Sequence, residues 1–116
     1  MIIYLSGPIG QGEEVEKNRV IFDNYEKRLE FDDYIVVNPF QNEFLADDRK
    51  KLMRADIKDM LDCDAIAMLP GWEESKGARQ ELYNAIACDM KVFDAETMQA
   101  MEIEYNLYFT IKNKLV

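Results

Sequence analysis

Histidine is absent from the 116 residues of this chain. That absence removes Ser-His-Asp and Cys-His nucleophilic catalysis, imidazole general bases and His-ligated metal sites together. Cysteine is scarce too. Cys63 and Cys88 are only two and lie far apart, which neither builds a disulfide framework nor supplies a tetrahedral zinc site. A reducing, cytoplasmic compartment is expected. Long hydrophobic runs are missing: the opening MIIYL is apolar for only about five residues, too short for a signal h-region or a membrane span. Basic charge is in deficit, with 14 Lys and Arg against 23 Asp and Glu and a net charge of −9. Polynucleotide backbones and anionic membranes would be repelled by such a surface. What the chain has in abundance is carboxylate, and if it is an enzyme, carboxyl groups must move the protons.

With 48% hydrophobic residues, one domain over residues 1–116 is expected, without repeats, low-complexity stretches or linkers. Ile2 to Ser6, closed by Gly7-Pro8, reads as a buried first strand. From Glu13 to Glu30, apolar residues recur at helical spacing, with acids early and Lys27 and Arg28 late, as the helix dipole favours. Tyr34 to Val37 reads as a second strand, ended by Asn38-Pro39. Phe40 to Asp48 is a polar and aromatic connection. Arg49 to about Leu61 is helical, Asp64 to Leu69 a third strand, Gly77 to Cys88 a helix and Lys91 to Asp94 a fourth strand. Strands alternating with helices at these lengths imply a parallel sheet covered on both faces, an α/β fold. The tail from Ala95 to Val116 is expected to begin as a helix. Its Tyr105, Tyr108 and Phe109 make it a candidate oligomer contact.

In an open α/β sheet, ligands gather at the carboxyl ends of the strands, here the loops after Ser6, Val37 and Leu69. The first loop, Gly7-Pro8-Ile9-Gly10-Gln11-Gly12, lacks the Lys-Ser/Thr of a P-loop and the spacing of a dinucleotide fingerprint. It reads either as a tight turn or as backbone brought close to a ligand. In the third loop, Ser75 precedes a helix opening Lys76-Gly77-Ala78. Its hydroxyl can cap that helix, help hold a phosphate or sugar hydroxyl, or do both. Trp72 reads equally as a lid over an aromatic ligand or as a core aromatic. Met53, Met60 and Met68 read as core filler, and Asp64 as a structural tie.

Two carboxylates are harder to place. At about 100° per residue, Glu81 falls inside the apolar arc formed by Ala78, Leu82, Ala85 and Cys88. On the preceding helix, Asp56 falls inside the arc of Leu52, Met60 and Met53. An unpaired carboxylate on a core face is costly, so two on consecutive helices point to a shared site. The alternative is that each caps or salt-bridges something structural.

Tyr4-Leu5-Ser6-Gly7-Pro8, Asn38-Pro39, Asp56-Ile57, Cys63-Asp64-Ala65-Ile66, Pro70-Gly71-Trp72-Glu73 and Ser75-x-Gly77-Ala78-x-x-Glu81 together resemble the nucleoside 2-deoxyribosyltransferase-like superfamily. The likeness is to its small, often phage-encoded branch and runs in order from Met1 to Asp94. It implies a flavodoxin-like or Rossmann-like three-layer sandwich with a parallel sheet of four to five strands. It also implies cleavage of the N-glycosidic bond of a 2′-deoxynucleoside or its 5′-monophosphate. Carried over by the motifs, Glu81 is the nucleophile, Asp56 the acid near base and sugar, and Tyr4 the residue that orients Glu81. Gly7 lies against sugar or base and Ser75 helps bind a 5′-phosphate. Ser6, Pro8, Asn38, Trp72 and Gly77 complete the candidate substrate-binding set.

The wheel reading selects Glu81 and Asp56 independently of the resemblance. A covalent deoxyribosyl-Glu81 intermediate would pass to water, giving hydrolysis, or to a second base, giving transfer, with hydrolysis favoured. No metal or organic cofactor is required. Glu73 and Glu74, in the loop after Leu69, make an acidic setting for a monophosphate. In transferases of the superfamily, the C-terminal segment of a neighbouring subunit completes the site; Asn106 is the candidate here. The expected partners are a small deoxynucleoside or deoxynucleotide and, in a homodimer or higher oligomer, a second copy of the chain. The alternatives are a non-catalytic nucleotide- or nucleoside-binding regulator on the same fold, and an acidic protein-interaction module in which Glu81 and Asp56 are structural.

Overall fold

Four short apolar segments, β1 (Ile2–Ser6), β2 (Ile35–Val37), β3 (Ala65–Met68) and β4 (Lys91–Asp94), pair in one sheet. In the computed structural model, which describes residues 1–101, every pairing is parallel and the order is β2-β1-β3-β4. Parallel neighbours need crossover connections. These are supplied by α1 (Glu13–Phe31), α2 (Arg49–Leu61) and α3 (Lys76–Ala87), with 3-10 helices at Pro39–Leu45 and Trp72–Glu74. This is the strand order of a flavodoxin-like three-layer α/β fold.

The alternation of side chains along a strand assigns each layer its own core. Ile3 and Leu5 of β1, with Ala65 and Ala67 of β3, pack with Phe22 and Leu29 of α1. Tyr4 of β1, with Ile66 and Met68 of β3, packs with Met60 of α2 and Ala78, Leu82 and Ala85 of α3. The helices are held at their starts by local chemistry. Glu13, Glu14 and Glu16 occupy the first turn of α1 and Arg28 its last, matching the helix dipole. Asp48 caps α2 by accepting from the Lys51 amide at 3.2 Å, and Ser75 caps α3 by accepting from the Ala78 amide at 3.2 Å. Asp64 is structural as expected, because its carboxylate accepts from the Ile2 amide at 2.8 Å and fixes the start of β1.

One expectation, for the tail, needs correction. The polar and aromatic connection after β2 is ordered locally: Asn38 accepts from the Phe40 amide at 3.0 Å, Pro39 stands at the first helical position, and a 3-10 helix runs to Leu45. The tail does not begin as a helix. Asp94 accepts from the Glu96 amide at 2.8 Å, Met98 takes a φ of 57°, and the turn returns Ala100 beside Phe93 in an antiparallel bridge. An Asx turn there competes with the helix that the composition favours. Among the described residues, the sheet has four strands. Tyr105, Asn106, Tyr108 and Phe109 lie outside the described residues. No helix among the described residues is long and apolar enough to cross a membrane.

Gly7 is needed for close packing where β1 leaves the sheet, since a Cβ there would lie 2.8 Å from Cβ of Leu69, whereas one at Gly77 would meet only Cε of Met53 at 3.8 Å. Gly7→Ala is therefore expected to destabilise the fold by about 1–3 kcal/mol through overpacking. Gly77→Ala is expected to be neutral or stabilising by up to about 1 kcal/mol. Chemical denaturation of the two variants checks the contrast.

Candidate active site

Tyr4 and Ser6 are two residues apart on β1, so both side chains project to the α2–α3 side of the sheet. Glu81 comes to meet them because α3 turns its Ala78, Leu82 and Ala85 face onto that same side. The Ser6 hydroxyl donates to Glu81 Oε1 at 2.8 Å, and the Tyr4 hydroxyl donates to Oε2. Tyr4 and Ser6 are fully buried, and Glu81 keeps 7% of its surface exposed. Each carboxylate oxygen thus holds one strong donor and retains a further lone pair.

Burial pushes the Glu81 carboxyl up to about 7, with the Tyr4 and Ser6 hydroxyls pulling it back and the Asp56 charge adding to the rise. Burial also holds the Tyr4 phenol well above its ordinary value, assisted by the negative charge of Glu81 and Asp56. Tyr4 therefore remains a donor across the physiological range. Burial raises Asp56 to about 6, against the pull of the Asn42 hydrogen bond and with a push from Asp59. The Asn42 amide donates to Asp56 at 2.9 Å and to Asp59 at 2.8 Å, clamping two carboxylates of α2 one turn apart.

A cleft of about 550 Å³ opens over these groups, within the size range of small-molecule sites. Glu81 and Asp56 both line it, as do Gly7, Ser75 and Gly77. It lies at the carboxyl end of β1, where the fold predicts a ligand. Arg49, Lys76 and Phe40 add two cations and an aromatic ring to its wall. Ser75 serves as helix cap while lining the cleft.

Not every candidate residue reaches the cleft. Tyr4 and Ser6 stand behind Glu81 and act on it alone. Pro8 lies beside Gly71. Asn38 is engaged in capping the 3-10 helix and donating to Asp23 at 3.1 Å. Trp72 packs against the core cluster containing Tyr4 and Ile66. Met60 and Met68 are core residues as expected, but Met53 lines the cleft.

Asn42 was not among the candidates, because a polar and aromatic connection offers no helical face to assign it to. Asp59 carried a signal, since at about 100° per residue it falls roughly 60° from Asp56 on the same side of α2. Among the described residues, no group of three or more metal-ligating side chains converges.

Fold and site together define a flavodoxin-like α/β protein with a buried, doubly hydrogen-bonded glutamate beside a cleft at the carboxyl end of its first strand. Residues 1–94 match the model of a domain of unknown function, DUF4406, and the chain belongs to that family. No curated protein and no solved structure matches it.

A carboxyl group raised in the folded state binds its proton more tightly there than in the unfolded chain. Its contribution is thus fully present below the unfolded value and lost as pH rises through the folded one. For Glu81 the window runs from about 4.5 to about 7. Glu81→Gln, which cannot ionise, is expected to gain stability relative to the wild type as pH rises across that window. The gain should reach on the order of 3 kcal/mol at most, measured by denaturant unfolding at matched pH values. A gap that does not change with pH would show that Glu81 is not buried as described.

Proposed function

We propose that the chain cleaves the N-glycosidic bond of a 2′-deoxynucleoside or its 5′-monophosphate, with Glu81 as nucleophile and Asp56 as acid. The observation that carries this reading is the Glu81 carboxyl, fixed by Tyr4 and Ser6 at the wall of a cleft that Asp56 also lines. A buried glutamate whose role was only structural would have no need to face a cleft with a second raised carboxyl. The sequence likeness to nucleoside 2-deoxyribosyltransferase-like proteins supports the same assignment by a separate route.

In the first step, a free lone pair of Glu81 attacks C1′ and the bond from C1′ to the base nitrogen breaks. That electron pair leaves with the base, which takes a proton from Asp56. The oxocarbenium-like transition state develops positive charge beside two carboxyl groups, which favours it. In the second step, water attacks C1′ and gives a proton to the Asp56 carboxylate, and Glu81 departs. A second base in place of water gives transfer, and two displacements give net retention. Tyr4 and Ser6 do not touch substrate in this scheme. They are positioning residues that fix the carboxylate and spread its charge as it leaves.

Incubation with a panel of deoxynucleosides and their monophosphates, with and without a second base, tests the reading by release of free base. Glu81→Gln is expected to lower kcat by about a thousandfold or more and Asp56→Asn by about 10²–10⁴. Binding without base release from any substrate would instead make the protein a nucleoside-binding module.

The wild-type rate should follow a bell in pH with limbs near 6 and 7, the values to which burial raises Asp56 and Glu81. Asp56→Asn should abolish the alkaline limb, leaving a rate that rises and then levels. Tyr4→Phe, which removes a donor that favours ionised Glu81, should lower the maximum and move the alkaline limb, which follows the higher of the two values, to higher pH. An unaltered profile in both variants would contradict the roles given to these residues.

A further inference from the structure

Beside the cleft, a second groove of about 750 Å³ runs between α2 and α3. Arg49, Met53, Lys76 and Gly77 line both spaces, so the two adjoin along these residues. The groove concentrates cations in a chain of net charge −9. Arg49, Lys50, Arg54, Lys58 and Lys76 face it, with Asp62 as the one carboxylate on its wall. Among the described residues, the ion pairs are those of Arg19, so none of these five cations is paired there. Between them lie Met53, Ile57 and Leu61, an apolar floor in which Leu61 is 45% exposed.

We propose that this groove holds the distal half of a dinucleotide, a second nucleoside joined through phosphates to the nucleoside in the cleft. The inference rests on the reading of the cleft as a nucleoside site and specifies its substrate. Arg49 and Lys76, common to both spaces, stand where the linking phosphates cross from one to the other. A phosphate chain alone would leave the apolar floor uncovered. From Arg49 to Lys58 the helix rises about 13 Å, longer than one phosphate requires, and a flat base against Met53, Ile57 and Leu61 makes use of both the length and the floor. Charge complementarity favours this occupant: unpaired cations in an acidic protein attract a small polyanion, while the rest of the surface repels a long one.

Equilibrium binding to the Glu81→Gln protein, read by calorimetry, tests the groove without turnover. The ligands are a deoxynucleoside 5′-monophosphate and a dinucleotide in which the same nucleoside is joined through a 5′–5′ diphosphate to a second one. The dinucleotide is expected to bind about tenfold more tightly, and the margin should shrink as salt is raised. Arg54→Gln/Lys58→Gln and, separately, Leu61→Asn should each erase most of that margin, with the monophosphate as internal reference. All three positions lie outside the cleft and at the surface, so the fold tolerates the changes. Equal affinity for the two ligands, or a margin that the variants retain, would overturn the proposal. A margin sensitive to the charge variant alone would overturn the dinucleotide in favour of a bare phosphate chain. A salt-sensitive dimer lost in the charge variant, with no ligand preference, would assign the groove to a second copy of the chain. Failure of the wild type to release base from any ligand counts against the proposed reaction and leaves the binding result standing.

Discussion

A glutamate side chain nearly closed off from water is expensive unless each of its oxygens finds a donor, and the geometry around Glu81 meets that demand from a single strand. Tyr4 and Ser6 present two hydroxyls from alternate positions of β1, one to each oxygen. The interaction joins the first strand to the last described helix across 77 and 75 residues of sequence. It therefore ties the α2–α3 layer to the sheet as well as setting the charge of the site. Neutral hydroxyl donors satisfy the carboxyl without neutralising it. A lysine or arginine in their place would hold it permanently ionised and low in basicity. What results is a carboxyl poised near neutrality, the condition under which it can accept and release a bond within one reaction cycle.

The neighbouring carboxylates extend the same logic. Asn42 divides its amide between Asp56 and Asp59, so two negative groups of α2 are held close without a cation between them. Burial and mutual repulsion then raise Asp56. Histidine ordinarily provides groups that titrate in this range; here two carboxyls brought up by burial do so. Five cations, Arg49, Lys50, Arg54, Lys58 and Lys76, lie instead along the groove beside the cleft.

Much of this was legible in the sequence for identifiable reasons. Strand and helix periods differ enough that β1, α1, α2, β3, α3 and β4 could each be placed to within about three residues, the usual margin for element ends. The helical wheel isolated Glu81 and Asp56 because a carboxylate within an apolar arc conflicts with its own surroundings. That Tyr4 and Ser6 meet Glu81 from one side of the sheet follows the parity of β1, which a sequence displays directly. Harder to read were features that depend on a short local competition. The 3-10 helix after Asn38, and with it Asn42, is settled by one cap and one proline, and the turn after Asp94 by one side chain against a helical composition. Trp72 had two equal readings, and its packing against the cluster of Tyr4 and Ile66 is visible only once the fold is assembled. The groove cations were invisible as a group, because Lys76 joins those of α2 only after the two helices pack.

The central claim is that Glu81 forms a bond to the sugar. Mass spectrometry of the protein, quenched in acid during turnover of a deoxynucleoside substrate, tests it directly. The account predicts an adduct of one deoxyribosyl group on the peptide containing Glu81, absent from Glu81→Gln. Base release that proceeds in Glu81→Gln, or an adduct that maps to another residue, would contradict it.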